Sequence, residues 1–431
     1  MMTKRSMLFL AHRFPYPPNK GERIRAWNLL QHFSRSWNVY FGCLSDDPGD
    51  ARHLDTVRPF CAELASFPID KRIQKLKAVA GLRPGRPLML DYYRHAGLQR
   101  WADGVLARQP IDLIYIFSTA MATYVEAGGD RAVVLDMVDV DSQKWREYAH
   151  GAGWPMRHVW AREARTLLAF ERRAAAACDA TLLVSEPECR ELAGLAPEVA
   201  DRLHAIELGV DLDFFAPGLD LPTPYSGVAP QLAFVGNMDY WPNADAAIWF
   251  AREVMPLLRQ RADAPEFTVV GANPGPKVLA LASLPGVRVT GRVSDVRPFV
   301  AHAAVIVAPL RIARGIQTKI LEAMALGRPV VTTRQGFVGV CATAGRDLLV
   351  ADGAVGMTAA VAEVLDGYHP DLGHDARVAM EAAYAWSGVF ARVDDVLAAV
   401  LKAAGAAATP SPPPPDTDLA PPSPLRLKNS S

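Results

Sequence analysis

The chain is poor in cysteine, and its five cysteines stand scattered at Cys43, Cys61, Cys178, Cys189 and Cys341. An odd number with no C-x-x-C pair argues against a disulfide framework or a zinc site and fits a reducing cytoplasm. Long hydrophobic runs are missing as well. No stretch reaches the roughly 18 apolar residues that a membrane-spanning helix needs. The run Met7 to Ala11 is too short for the apolar core of a secretory signal. There is no excess of either charge: Lys plus Arg and Asp plus Glu number 46 each. No global field therefore points to nucleic acid or to a generic anionic partner. What remains is ordinary globular composition, half hydrophobic and 21% charged over 431 residues. That length favours two domains over one.

Short β-rich runs alternate with longer helical patterns, the sign of βαβ units on mostly parallel sheets. In the first half the expected strands are Met7–Ala11, Val39–Leu44, Asp112–Phe117, Ala132–Asp136, Ala180–Val184 and His204–Glu207. Helices are expected at Gly21–Arg35, Leu98–Gln109 and Arg157–Ala177. Around Asp213–Gly227 the pattern breaks into Pro, Gly, Asp and Ser, which places a linker there. The alternation restarts with Leu232–Val235, a helix Asn243–Gln260, Phe267–Val270, Val287–Val289, Val305–Ala308, a helix Thr318–Leu326 and Val330–Thr333. The expected fold is α/β, with two Rossmann-like domains (1–215 and 228–385) facing a cleft into which the carboxyl ends of the strands point. An amphipathic helix in 386–404 is expected to cross back to the first domain through Trp386, Phe390, Val393 and Leu397. The remaining 405–431, with eight prolines from Pro410 to Pro424, has too little apolar surface to order itself.

Three stretches carry candidate chemistry. In the first, the strand Val305–Ala308 runs into a loop with Arg311, Arg314 and Gly315, then into a helix closed by Gly327 and Pro329. A strand, a glycine loop and a helix N-terminus form an anion site, because free amides and the helix dipole face the ligand. Arg311, Arg314 and Lys319 add positive charge there, and Glu322 can accept two ribose hydroxyls. The alternative is a plain βα unit with solvated basic residues. The second stretch, Asp136-Met-Val-Asp-Val-Asp-Ser, follows a buried strand. Asp139 or Asp141 can take a proton from an acceptor hydroxyl there, or the pair can simply cap a helix. His12, after the first strand, is a further candidate. The third stretch, Asp70 to Arg86, carries six basic residues and one acid. Lys71, Arg72, Lys75 and Lys77 can lie on an anionic bilayer or form a solvated helix.

The order of these motifs resembles the retaining glycosyltransferases of family 4, which have the GT-B fold. That family's donor motif is Glu-x7-Glu, ending in a Leu-Glu-Ala-Met-Ala-x-Gly-x-Pro-Val-Val helix and strand. Its second Glu matches Glu322, which the resemblance assigns to the ribose. Its first falls on Arg314, a departure at the position that contacts the transferred sugar. Gly315 keeps the following glycine, so the resemblance implies that the backbone at Gly315, Ile316 and Gln317 holds phosphate. Pro15-Tyr-Pro-Pro-Asn-Lys-Gly-Glu-Arg matches the glycine loop lining the cleft, which makes Lys20, Gly21 and Arg23 acceptor-side candidates. Leu183-Val-Ser-Glu and Glu207-Leu-Gly-Val-Asp match further landmarks. Phe234-Val-Gly-Asn opens the second domain, with Gly236 and Asn237 at the donor. It lacks the Arg and Lys that many members place after that glycine, so Arg311, Arg314 and Lys319 stand as substitutes. Val289-Thr-Gly-Arg-Val-Ser-Asp, with Arg292, matches the loop that grips the nucleobase. Within the family the pattern resembles the exosortase-associated exopolysaccharide sugar transferases.

The resemblance implies transfer of a sugar, with retention, from a nucleoside-diphosphate donor to a saccharide acceptor that is lipid-linked, in exopolysaccharide synthesis. No metal or other cofactor is expected, and the place is the cytoplasm or the inner face of its membrane. Two alternatives stay open: a nucleotide-sugar 2-epimerase, and a non-catalytic nucleotide-sugar-binding partner of a polysaccharide assembly complex.

Overall fold

The computed structural model describes residues 4–18, 21–80, 85–125, 131–313 and 315–407. Lys20, Arg314 and the proline-rich tail from 408 onward lie outside these residues. Two sheets carry the fold, and all their strand pairs are parallel. The first has the order β3-β2-β1-β4-β5-β6-β7, with β1 Arg5–Ala11, β2 Trp37–Ser45, β3 Glu63–Pro68, β4 Leu113–Phe117, β5 Ala132–Val138, β6 Ala180–Leu183 and β7 Leu203–Ala205. The second has the order β10-β9-β8-β11-β12-β13, with β8 Gln231–Val235, β9 Glu266–Val270, β10 Val287–Gly291, β11 Val305–Ala308, β12 Val330–Thr332 and β13 Leu349–Val350. In both sheets the strand order reverses at the first strand of the series, β1 and β8. That switch opens a crevice at the carboxyl ends, where ligands of such sheets bind.

The helices used below are α1 (Gly21–Ser36), α2 (Lys71–Ala80), α3 (Asp141–Gly151), α4 (Met156–Ala177), α5 (Trp241–Trp249), α6 (Thr318–Ala325) and α7 (Trp386–Ala407). One face of the first sheet packs Phe9, Phe41 and Tyr115 against Phe33 of α1, with ring centroids 5.0 to 5.9 Å apart. Val389, Val393, Val396, Leu397 and Val400 of α7 are buried in that same cluster. The last helix of the described chain therefore returns from the second sheet to cover the first. Trp386 lies so close over Gly209 that any β-carbon there would fall within its ring. Arg392 of α7 pairs with Glu207 at 2.7 Å. Beneath α1, Arg25 donates to Asp136 of β5 at 2.8 Å, and Tyr115 donates to the same carboxylate at 2.7 Å. Each buried charge is thus partnered, as burial requires.

Several elements differ from expectation. Strands β3 and β13 have no clear sequence signal: β3 is half-buried up to an exposed Pro68 and β13 is two residues long. The strand expected at His204–Glu207 is instead Leu203–Ala205. The helix expected over Asn243–Gln260 is broken. After α5 it widens into a π turn at Phe250–Val254 before closing again at Met255–Leu258. Pro256 explains the break, since it has no amide proton to donate to the carbonyl of Arg252 and its ring presses on that carbonyl. Among the described residues, no helix is long and apolar enough to cross a membrane.

Candidate active site

One side of the candidate site is built where β11 passes into α6. Gly315 turns the chain with φ +63, a left-handed conformation that side chains with a β-carbon adopt at a cost. Gln317 then starts α6 without a side-chain cap. The amides of Thr318 and Lys319 have no acceptor inside the helix, while that of Ile320 donates to the Gln317 carbonyl at 2.9 Å. Lys319 and Glu322 stand one turn apart on the same face. Lys319 Nζ donates to Asn243 Oδ1 at 2.7 Å and reaches Gln317 Oε1 at 3.5 Å. It also lies 5.3 Å over the ring of Phe234 in β8. Burial holds the Lys319 ammonium down to about 8, against the pull of Glu322. Burial raises the Glu322 carboxyl to about 7, and Lys319 offsets part of that. The pair is thus short of water, with each group the other's counter-charge, and a diphosphate and a pair of hydroxyls would add partners to both.

Asn243 organises this corner, and sequence reasoning missed it. Besides receiving Lys319, it donates from Nδ2 to the carbonyl of Asn237 at 2.9 Å. Its amide lies against Gly236, where a β-carbon would come within 2.8 Å of Nδ2. Gly236, Asn237 and Lys319 are in this way tied together through one side chain, and Gln317 joins them through Lys319. Ile316 packs into the core of the second sheet. Arg292 is exposed on the turn after β10. Arg311, expected at the diphosphate, is turned elsewhere. Two bonds of 3.0 and 2.5 Å bind its guanidinium to Asp245 of α5, so its charge is already met by a carboxylate 66 positions away. Arg314 lies outside the described residues, and Lys319 is the described cation held inside the donor corner.

On the other side of the candidate site, β5 ends in a kink. The register shifts between Asp136 and Val138, and Val138 is forced to φ +71, a conformation that a β-branched residue resists strongly. The bulge re-aims the chain so that Asp139 reaches the second sheet. A β-carbon at Gly315 would lie 3.0 Å from Asp139 Oδ1. The aspartates are not the caps of α3. Glu188 accepts from the amide of Val140 at 2.8 Å and Glu171 from that of Ser142 at 3.0 Å. Burial raises the Asp141 carboxyl, and Glu22 adds to that rise against Lys144.

Asp139, Asp141 and His12 line one cavity of about 690 Å³, together with Tyr92, Tyr93, Trp145 and Trp160. His12 is stacked 5.9 Å from Phe117, and burial holds its imidazole down to about 4. It is therefore neutral near pH 7 and a weak base. Gly21 begins α1, while Lys20 lies outside the described residues. Arg23 is no acceptor-side cation: it is buried, 3.0 Å from Asp50 and 3.6 Å from Asp46. The basic helix α2 turns Gln74 and Ala78 inward and leaves Ile73 and Leu76 outside at 52% and 71% exposure. Around them Lys71, Arg72, Lys75 and Lys77 are exposed. Lys71 lies 3.3 Å from Asp46, and Lys75 borders the Asp139 cavity. The tyrosines and tryptophans of that cavity were not foreseen, because they come from three separate segments. All five cysteines are free.

Two parallel sheets with opposed carboxyl ends, joined by a returning helix, are the GT-B fold. Residues 229–367 match the family model described as Glycosyl transferases group 1. The chain thus has the GT-B fold, and the region that matches the group 1 glycosyltransferases lies on the second sheet. Among solved structures it is similar to the sucrose-phosphate synthase of Thermosynechococcus elongatus, at 15% identity and TM-score 0.67, covering 93% of this chain and 100% of that one. It is also similar to Anabaena HepE in complex with UDP-glucose, at 12% identity and TM-score 0.61 over 91% and 99% of the two chains. A third likeness is to WaaG, a glycosyltransferase involved in lipopolysaccharide biosynthesis, at 17% identity and TM-score 0.56 over 94% and 100%. A search of curated protein sequences finds no match.

Proposed function

We propose that this protein moves a sugar, with retention, from a nucleoside-diphosphate donor to a lipid-linked saccharide in exopolysaccharide synthesis. The observation that carries the reading is the approach of Asp139, from the first sheet, to Gly315, from the loop before α6. An acceptor base and a phosphate loop then meet where a donor's anomeric carbon would lie. In the proposed reaction the acceptor oxygen bonds to that carbon on the face the diphosphate leaves. The bond from carbon to phosphate oxygen breaks with its electron pair going to the diphosphate, and the acceptor proton passes to Asp139. Lys319 and the amides from Gly315 to Lys319 meet the growing charge, and fixed donors of this kind need no reorganisation during the reaction. We propose that the step runs without a metal. Glu322 takes the ribose hydroxyls.

The bound UDP-glucose of the HepE structure supports a nucleotide-sugar donor, and the part of WaaG in lipopolysaccharide biosynthesis suits a saccharide on a lipid. Exposed Ile73 and Leu76 among four cations suit a surface that rests on the anionic inner face of the cytoplasmic membrane, each engaged cation adding about 1 kcal/mol. Incubation with a panel of labelled nucleotide sugars and a lipid extract tests the reading. Transfer to a lipid-soluble saccharide is expected. C2 epimerisation, or binding without turnover, would replace it with one of the two alternatives.

A further inference from the structure

A second chamber opens beside the Asp139 cavity, between the two halves of the molecule. It encloses about 940 Å³, and the two spaces share Lys144 and Trp160 in their walls. Its own walls are aromatic: Tyr148 of α3 and Trp160 of α4 on one side, Tyr240 and Trp241 at the start of α5 on the other. Trp241 and Tyr240 remain 49% and 39% exposed, so these rings face open space instead of filling a core. Trp145 stands behind them, 4.7 Å from Trp160 and edge-on to Tyr148 at 5.7 Å, which fixes how both rings are presented. Burial and the neighbouring Tyr148 push the Tyr240 phenol up to about 12, so it keeps its proton as a donor. Glu147, His150 and Gln335 supply polar atoms at the margin.

Flat rings with hydrogen-bonding groups at their edges suit one ligand chemistry above others. A sugar ring offers a face of polarised C–H groups, which the electron-rich face of an indole attracts, and a belt of hydroxyls for the polar rim. A nucleotide is a poorer candidate, because Gly236, Asn237, Lys319 and Glu322 line neither space. The volume exceeds the need of one sugar ring. We infer that this chamber is the subsite for the saccharide behind the reacting unit, and that the acceptor is an oligosaccharide. Its terminal sugar meets Asp139, and the units behind it stack on Trp160 and Trp241. The inference rests on the glycosyltransferase reading of the cleft and narrows its acceptor to chains longer than one unit.

The test is binding of saccharide ladders from one to four units in the maltose, chitin and mannan series, followed by tryptophan fluorescence and saturation-transfer NMR. UDP, GDP, ADP and dTDP are titrated in parallel. At least one ladder should gain about tenfold in affinity from monomer to trimer, the worth of one well-stacked ring. Trp241→Ala should remove that gain while leaving the monomer and the nucleotides unchanged, and Trp241→Tyr should restore most of it. Trp241 is partly exposed at a helix start, so its loss does not open a core; Trp160→Ala is the second variant. Flat ladders, or a gain that survives both variants, would overturn the inference while nucleotide binding kept the donor reading. Failure of every nucleotide to bind would instead remove the reading beneath it.

Discussion

Replacing Glu322 by Gln should change both how tightly a nucleoside diphosphate binds and how that binding depends on pH. The wild-type carboxyl titrates near 7 and Lys319 near 8. In the proposed binding mode the ribose hydroxyls need the ionised carboxylate, and the diphosphate needs the protonated ammonium. Affinity should therefore peak between about pH 7 and 8 and fall on both sides. Below the carboxyl's value it should drop about tenfold per pH unit, because each unit of protonation costs about 1.4 kcal/mol of the competent state. In Glu322→Gln this acid limb should vanish, since an amide does not titrate. The loss of a charged acceptor removes about 1.5–3 kcal/mol, roughly a 10- to 150-fold weakening at pH 7.5. The basic limb should also move down in pH, because Lys319 loses the carboxylate that holds its proton. Titration calorimetry from pH 5.5 to 9 reads all three effects. Unchanged affinity, or a weakened variant that keeps the wild-type acid limb, would refute the assignment of Glu322.

Asp139→Asn should lower turnover by about 10²–10⁴-fold with donor affinity intact, whereas a joint loss of both would make it a donor residue. Val138→Gly should relieve the left-handed strain and raise stability by about 1 kcal/mol, seen as a higher Tm. Turnover should nevertheless fall, because Asp139 is then less firmly aimed; a lower Tm would show that Val138 is not strained. Arg311→Gln should leave nucleoside diphosphate affinity within about twofold, since its charge is bound to Asp245 and exposed pairs are worth about 0–1 kcal/mol; a larger drop in calorimetry would return it to the diphosphate. Ending the chain at 385 should abolish cooperative melting, because Val389, Val393 and Leu397 leave the core of the first sheet. A stable shortened protein would contradict that packing.

Much of this architecture is legible in the sequence because buried parallel strands read as short apolar runs, and ten of the strands have such runs close to their observed positions. Met7–Ala11 and Val305–Ala308 are good examples, flanked by helical periodicity that makes each βα unit plain. The edge strand at Glu63–Pro68 is half-buried and so carries no such run. The stripe of α7 is legible because its period is local, and its partner sheet follows from the fold. Side-chain engagement is another matter. Nothing near Arg311 announces Asp245, and nothing near Arg23 announces Asp50, since each pair is closed by the fold. Val138 gives no sign of its positive φ, which the sheet imposes against the residue's own preference. Asn243 and the ring quartet of the second chamber likewise come from positions far apart in the chain. Candidate residues were therefore easier to name than the company they keep.

The central claim is that donor and acceptor meet between Asp139 and Gly315, with the new bond on the face the diphosphate leaves. Following the anomeric protons by NMR during turnover with the donor and acceptor found in the panel tests it most directly. The account predicts stoichiometric release of nucleoside diphosphate and a product with the donor's own anomeric configuration. A product of inverted configuration, or sugar consumption with no diphosphate released, would contradict it.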